Sequence, residues 1–147
     1  KRAGELFATL SGGSFVGLSV VFDDQNNAQL TGVRPSGEKV SASGMSTGSA
    51  DQLYLALRVA SVEDYQTRAN TLPFVTDDLF INFDDDRAAA GFQVLTELAQ
   101  KTQVLFFTHH QHLVNIARDA LGASVHVINL QTDGAMDTPS RPLAEQD

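Results

Sequence analysis

Two adjacent carboxylates, Asp77 and Asp78, close an apolar run that begins at Leu72, and a third acid, Asp84, follows shortly after. Apolar strands seldom finish in paired acids. At the carboxyl end of a buried parallel strand, such a pair lies where open α/β sheets bind ligands. One acid can hold a hard cation such as Mg²⁺ while its neighbour orients a water; two solvated acids at a strand end are the alternative. Ser46 and Gly48 stand ahead of a long apolar segment of helical propensity. Free backbone N–H groups and the positive end of the helix dipole favour a phosphate there. Gly48 would let the backbone approach closely and Ser46 could donate a hydroxyl hydrogen bond. An ordinary capped helix explains the same residues. His109 follows a second apolar run, Val104 to Thr108. An imidazole near neutral pKa can donate to a phosphate oxygen in either protonation state. His110 and His112 raise the question of a zinc site, but His110 is adjacent to His109 and a carboxylate partner would have to come from elsewhere.

The elements that must position these groups are legible in outline. Phe15 to Val21 is β-prone and bounded by Gly12-Gly13 and by Asp23-Asp24-Gln-Asn-Asn, which predicts a strand and a turn. Ala28 to Val33 and Lys39 to Ser41 can pair with it, with Pro35-Ser36-Gly37 as the turn between them. The first forty or so residues therefore read as a small antiparallel β unit. Leu53 to Val62 is apolar on nearly all sides apart from Arg58, the pattern of a buried helix, with Asp51 in or near its first turn. After the strand ending at Asp77, Asp85 to Lys101 has helical spacing at Ala89, Phe92, Leu95 and Leu98, and Asp85 and Asp86 suit its N-terminus. Leu113 to Leu121 predicts a short helix stopped by Gly122, and Val125 to Leu130 a last strand. Residues beyond Gln131 are rich in Pro, Asp, Ser and Gln and read as a loose tail over 131–147. Strands alternating with helices argue for a parallel α/β sheet.

Composition bounds the rest. A chain of 147 residues with 42% apolar content can bury one core. No run is long and apolar enough to span a membrane, and the first residues lack the apolar segment of a signal peptide. Cysteine is absent, which excludes disulfides and thiolate metal sites and fits a cytoplasmic location. The formal net charge of −8, with ten scattered Lys and Arg, disfavours nucleic-acid binding through the surface at large.

Met45-Ser46-Thr47-Gly48-Ser49, then Asp77-Asp78 with Asn82-Phe83-Asp84, then Thr108-His109 stand in a fixed order. The set resembles the second half of an ATP-binding-cassette ATPase head of the SMC and SbcC-like group, and within it the YhaN-like AAA-domain proteins, whose signature helix is similar to Asp51-Gln-Leu-Tyr-Leu-Ala-Leu-Arg-Val-Ala. The likeness covers roughly residues 3–130, with 1–43 as the β unit and 44–130 as the α/β part. It implies the C-terminal lobe of a P-loop NTPase: a parallel sheet with flanking helices behind a small antiparallel unit. It implies that Ser46 and Gly48 face the γ-phosphate held by an opposite head. Asp77 would be the Walker B aspartate that holds Mg²⁺, Asp78 would take the place of the glutamate that positions the attacking water, one methylene shorter, and His109 would be the switch histidine. Asp84 would be the D-loop aspartate that crosses the interface; serving merely as a helix cap is its alternative.

The phosphate loop G-x-x-x-x-G-K-[ST] does not occur in the sequence, nor does the family's Q-loop region. The resemblance therefore implies a partner carrying the Walker A half, on the same or a separate chain, and a homodimer of heads. It also implies DNA held by the wider assembly, in DNA-end processing, repair or chromosome maintenance, and association with a nuclease. Alone, the chain is expected neither to bind ATP tightly nor to turn it over. A non-catalytic dimerisation or regulatory module and a metal-dependent hydrolase using Asp77, Asp78 and the histidines are the competing readings.

Overall fold

A computed structural model describes residues 1–69 and 72–130; the expected tail over 131–147 lies outside the described residues. The first forty or so residues are not all β structure as expected: they open with helix α1, Arg2–Leu10. Leu6, Phe7 and Leu10 form its buried stripe, a helical spacing, and Gly12 and Gly13 stop it at positive φ. Phe7 stacks on Phe15 at 4.8 Å between ring centroids, so the helix and the start of the sheet are fixed together.

Three antiparallel strands follow: β1 (Gly17–Phe22), β2 (Ala28–Val33) and β3 (Lys39–Ser41), in that spatial order. Gly17 faces Val33 at one end of the first hairpin and Phe22 faces Ala28 at the other. The turn into β3 is closed by the Gly37 N–H donating to the Arg34 carbonyl at 2.9 Å, with Gly37 at φ 87°. Leu18, Leu30 and Val40 carry the sheet onto the core.

Helix α2 runs from Thr47 to Gln66. It buries Leu53, Leu55, Ala56 and Val59, while Tyr54 stays 61% exposed, so one side faces outward despite its apolar sequence. Asp51 lies past the first turn rather than within it. Strand β4 (Phe74–Asp77), helix α3 (Asp85–Ala99), strand β5 (Val104–Phe107) and helix α4 (Gln111–Leu121) complete the α/β part. β4 and β5 pair in parallel, Phe74 beside Val104 and Asp77 beside Phe107. Gly122 ends α4 at φ 54°, as its position in the sequence predicts.

Val125 to Leu130 does not become the expected last strand. The stretch forms no ladder among the described residues, and Ile128 and Leu130 remain exposed. An apolar run becomes a strand only where another backbone offers it a ladder.

The layers are tied by one ionic cluster. Glu63 of α2, with a side chain only 10% exposed, accepts from Arg2 Nε at 2.7 Å and from Lys101 Nζ at 3.0 Å. The Arg2 hydrogen bond, followed by that of Lys101, holds the Glu63 carboxyl below its usual range against the opposing effect of burial. A depressed folded-state pKa contributes stability at neutral pH that is lost as pH falls below the ordinary glutamate range. Glu63→Gln should cost about 1 kcal/mol at pH 7, since both cationic partners are half exposed. The difference from the parent should vanish on acidification, as read from urea midpoints across pH.

Gln52 of α2 is fully buried, and neither of its amide atoms has a hydrogen-bond partner among the described residues. Desolvation without compensation is unfavourable, so Gln52→Met should raise unfolding stability by about 1–2 kcal/mol. A higher urea midpoint at unchanged slope would show this, and a lower one would mean that the amide has a use.

Candidate functional site

The parallel register of β4 and β5 sets the site. Because Asp77 lies beside Phe107, the residues that follow each strand emerge side by side at the same sheet edge. The Asp78 N–H continues the ladder one step, donating to the Phe107 carbonyl at 2.9 Å. Asp78 then takes φ 45°, in the left-handed region, and ends the strand.

Its side chain turns to the neighbouring strand end. Thr108 Oγ1 donates to Asp78 Oδ1 at 2.7 Å, and His109 Nδ1 meets Asp78 Oδ2 at 2.5 Å. Thr108 also accepts from the His110 N–H at 3.1 Å, so one hydroxyl orders both the acid and the start of α4. The Thr108 hydrogen bond, helped by the adjacent His109 and His110, holds the Asp78 carboxyl below its usual range. The result is an ionised, weakly basic carboxylate, suited to orienting a water more than to early proton abstraction. The structure thus brings Asp78 and His109 together. Thr108, the end of an apolar run in the sequence, holds Asp78 from the other side and ties it to the His110 backbone.

Asp77 points elsewhere. It is exposed, and no hydrogen bond or ion pair engages its carboxylate among the described residues. Its oxygens are free for a hard cation, which fits Mg²⁺. Ser46 is the N-cap of α2: its hydroxyl accepts from the Ser49 N–H at 3.3 Å and donates to Ser49 Oγ at 3.0 Å. Rotation of this hydroxyl would be needed to offer its proton to a ligand.

The start of α2 rests on the loop between β4 and α3. A Cβ at Gly48 would come within 2.9 Å of the Asn82 carbonyl oxygen. Asn82 Nδ2 donates to Asp51 Oδ2 at 2.8 Å beside it. Gly48 is therefore required by packing within this chain, whatever its role toward a phosphate. Asp84 is the N-cap of α3, accepting from the Arg87 N–H at 2.9 Å; Asp85 and Asp86, expected to cap, occupy the first turn instead. Asp85 pairs with His112 at 2.8 Å.

No protein-family model matches the chain. It is 30% identical over 132 residues to the uncharacterized protein YhaN of Bacillus subtilis, a match that covers 88% of this chain and 13% of that protein. Its structure is similar to the Smc head domain of Pyrococcus furiosus, solved with an extended coiled coil and bound to the C-terminal domain of ScpA: TM-score 0.58, 16% identity, 79% of this chain and 29% of that one. It is also similar to the SMC head domain of Thermotoga maritima: TM-score 0.53, 23% identity, 81% of this chain and 40% of that one. The chain thus spans 13% of the Bacillus subtilis protein and less than half of each of these two solved chains. Identities this low in the solved structures speak for fold.

Within a helix, Gly→Ala ordinarily stabilises by nearly 1 kcal/mol. At Gly48 the sign should reverse: the added methyl meets backbone, and a loss of about 1–3 kcal/mol is expected by overpacking. Urea unfolding of Gly48→Ala checks it, a gain in stability refuting the contact. In architecture, the chain has the fold of the C-terminal part of an SMC-like ATPase head.

Proposed function

We propose that residues 1–130 are the C-terminal lobe of an SMC/SbcC/YhaN-like head that hydrolyses ATP to ADP and phosphate at a cytoplasmic head–head interface, when a Walker A half completes it. The observation that carries this reading is the convergence of Asp78, Thr108 and His109 at adjoining parallel strand ends. Beside them, the N-terminus of α2 packs on the loop that leaves Asp78. Asp77 would hold Mg²⁺, which when bound neutralises charge on phosphate oxygens. Asp78 orients the attacking water, and His109 donates to the γ-phosphate while its other nitrogen faces Asp78. Ser46 and the N–H groups at the start of α2 receive the γ-phosphate of a nucleotide held by the opposite head. Asp84, exposed at the cap of α3, lies within reach of a second head. Positioning and electrostatics supply most of the rate enhancement in such chemistry. DNA repair or chromosome maintenance, with DNA and a nuclease held by the wider assembly, is the setting the family likeness suggests.

An apolar surface supports the need for a completing half. Val75, Leu105 and Phe107 lie on one face of the β4–β5 pair and are 57%, 37% and 42% exposed. Exposed Asp77 borders these residues on the same face, and exposed apolar residues rimmed by a polar group mark an interaction site. The first solved structures matched are longer chains, consistent with a head of which this is one portion.

The 147-residue chain alone should show no ATP turnover. Adding a matching Walker A half should restore turnover, and Asp78→Asn or Ser46→Arg should each lower it by at least about a hundredfold, the scale of losing one positioned catalytic group. Assembly without turnover would favour a dimerisation or regulatory module instead. Hydrolysis by the isolated chain that Asp78→Asn abolishes would overturn the requirement for a second half.

A further inference from the structure

Adjacent histidines in a regular strand point to opposite faces. His109 and His110 do not, because they occupy the turn between β5 and α4, where their ring centroids come within 3.9 Å. Asp78 supplies the carboxylate missing from the local sequence. One ligand atom from each of Asp78, His109 and His110 lies within 4.8 Å of the others. We propose that these three residues form a binding site for Zn²⁺ or a similar borderline transition-metal cation.

Two imidazoles and a carboxylate are a donor set that suits zinc and leaves a coordination position open. Mg²⁺ prefers oxygen donors alone, so this site is chemically distinct from Asp77. Asp78 is oriented from behind: Thr108 occupies Oδ1 and leaves Oδ2 on the side of His109, an outer-shell contact of the kind that fixes metal ligands. His110 Nε2 is shielded from solvent and has no hydrogen-bond partner among the described residues, an arrangement that is unfavourable unless something satisfies the ring. The His109 side chain, 74% exposed, leaves a route of entry. His112 takes no part, since it is paired with Asp85. On the ATPase reading above, the metal would withdraw Asp78 and His109 from water and phosphate; the site itself does not depend on that reading.

The test uses the 147-residue chain, treated with chelator and without nucleotide. Co²⁺ should bind with one equivalent, giving visible d–d absorption that Zn²⁺ displaces and excess Mg²⁺ does not. His109→Ala and His110→Ala should each weaken binding at least about tenfold, the scale of even outer-shell losses at metal sites, whereas His112→Ala should leave it unchanged. Should either alanine variant fail to fold, ring NMR signals of the parent chain decide: His109 and His110 should shift with Zn²⁺ before His112 and His126. Binding unaffected by His110→Ala, or first shifts at His112, would overturn the site. Because nucleotide is absent, failure here leaves the ATPase proposal standing.

Discussion

The burial of one ring, Phe80, holds the site together. Phe80 is 1% exposed and packs against Phe83, Phe92 and Phe106 at centroid distances of 5.1, 4.8 and 5.1 Å. It meets α3 at Gly91, where a Cβ would come within 2.6 Å of the ring. Removing such a ring from water is worth about 2–3 kcal/mol. That burial pins the middle of the loop that bears Asp78 at one end and Asp84 at the other, with Asn82 between them. Without the anchor, the acids would sit on a free connection, and α2 would lose the carbonyl on which Gly48 rests.

The same loop joins the neighbouring elements to one another. The β5 end reaches Asp78 through Thr108, the Asp78 loop reaches α2 through Asn82, and α3 begins at Asp84 with its cap on that loop. The connection to Asp78 has three polar contacts, from the Phe107 carbonyl, Thr108 and His109, whereas Asn82 reaches α2 through one side-chain hydrogen bond.

Much of this arrangement could be read from the chain before its structure. The β4 and β5 runs, the turn at Gly37, the stop at Gly122 and the stretch of α3 follow from local periodicity and turn chemistry, which depend on near neighbours. What sequence could not show depends on distance or on a fine choice between equivalents. The meeting of Asp78 with Thr108 and His110 follows from the strand register, a non-local property. Among three consecutive aspartates, the cap is whichever residue precedes the first helical φ/ψ, and this proved to be Asp84. The stripe Leu6, Phe7, Leu10 was present at the start of the chain but is too short to outweigh the strands beside it. Val125 to Leu130 has strand composition but forms no ladder among the described residues, since composition alone does not supply a pairing neighbour.

The left-handed backbone at Asp78 gives a second meaning to its short side chain. Aspartate enters that region more readily than longer residues, since its carboxylate can make local polar contacts that offset the crowding of Cβ. At this corner the main chain carries the carboxylate sideways, to the adjoining strand end, where Thr108 and His109 meet it. A short side chain on a sharply turned backbone thus delivers its oxygens across to the next strand instead of forward along its own.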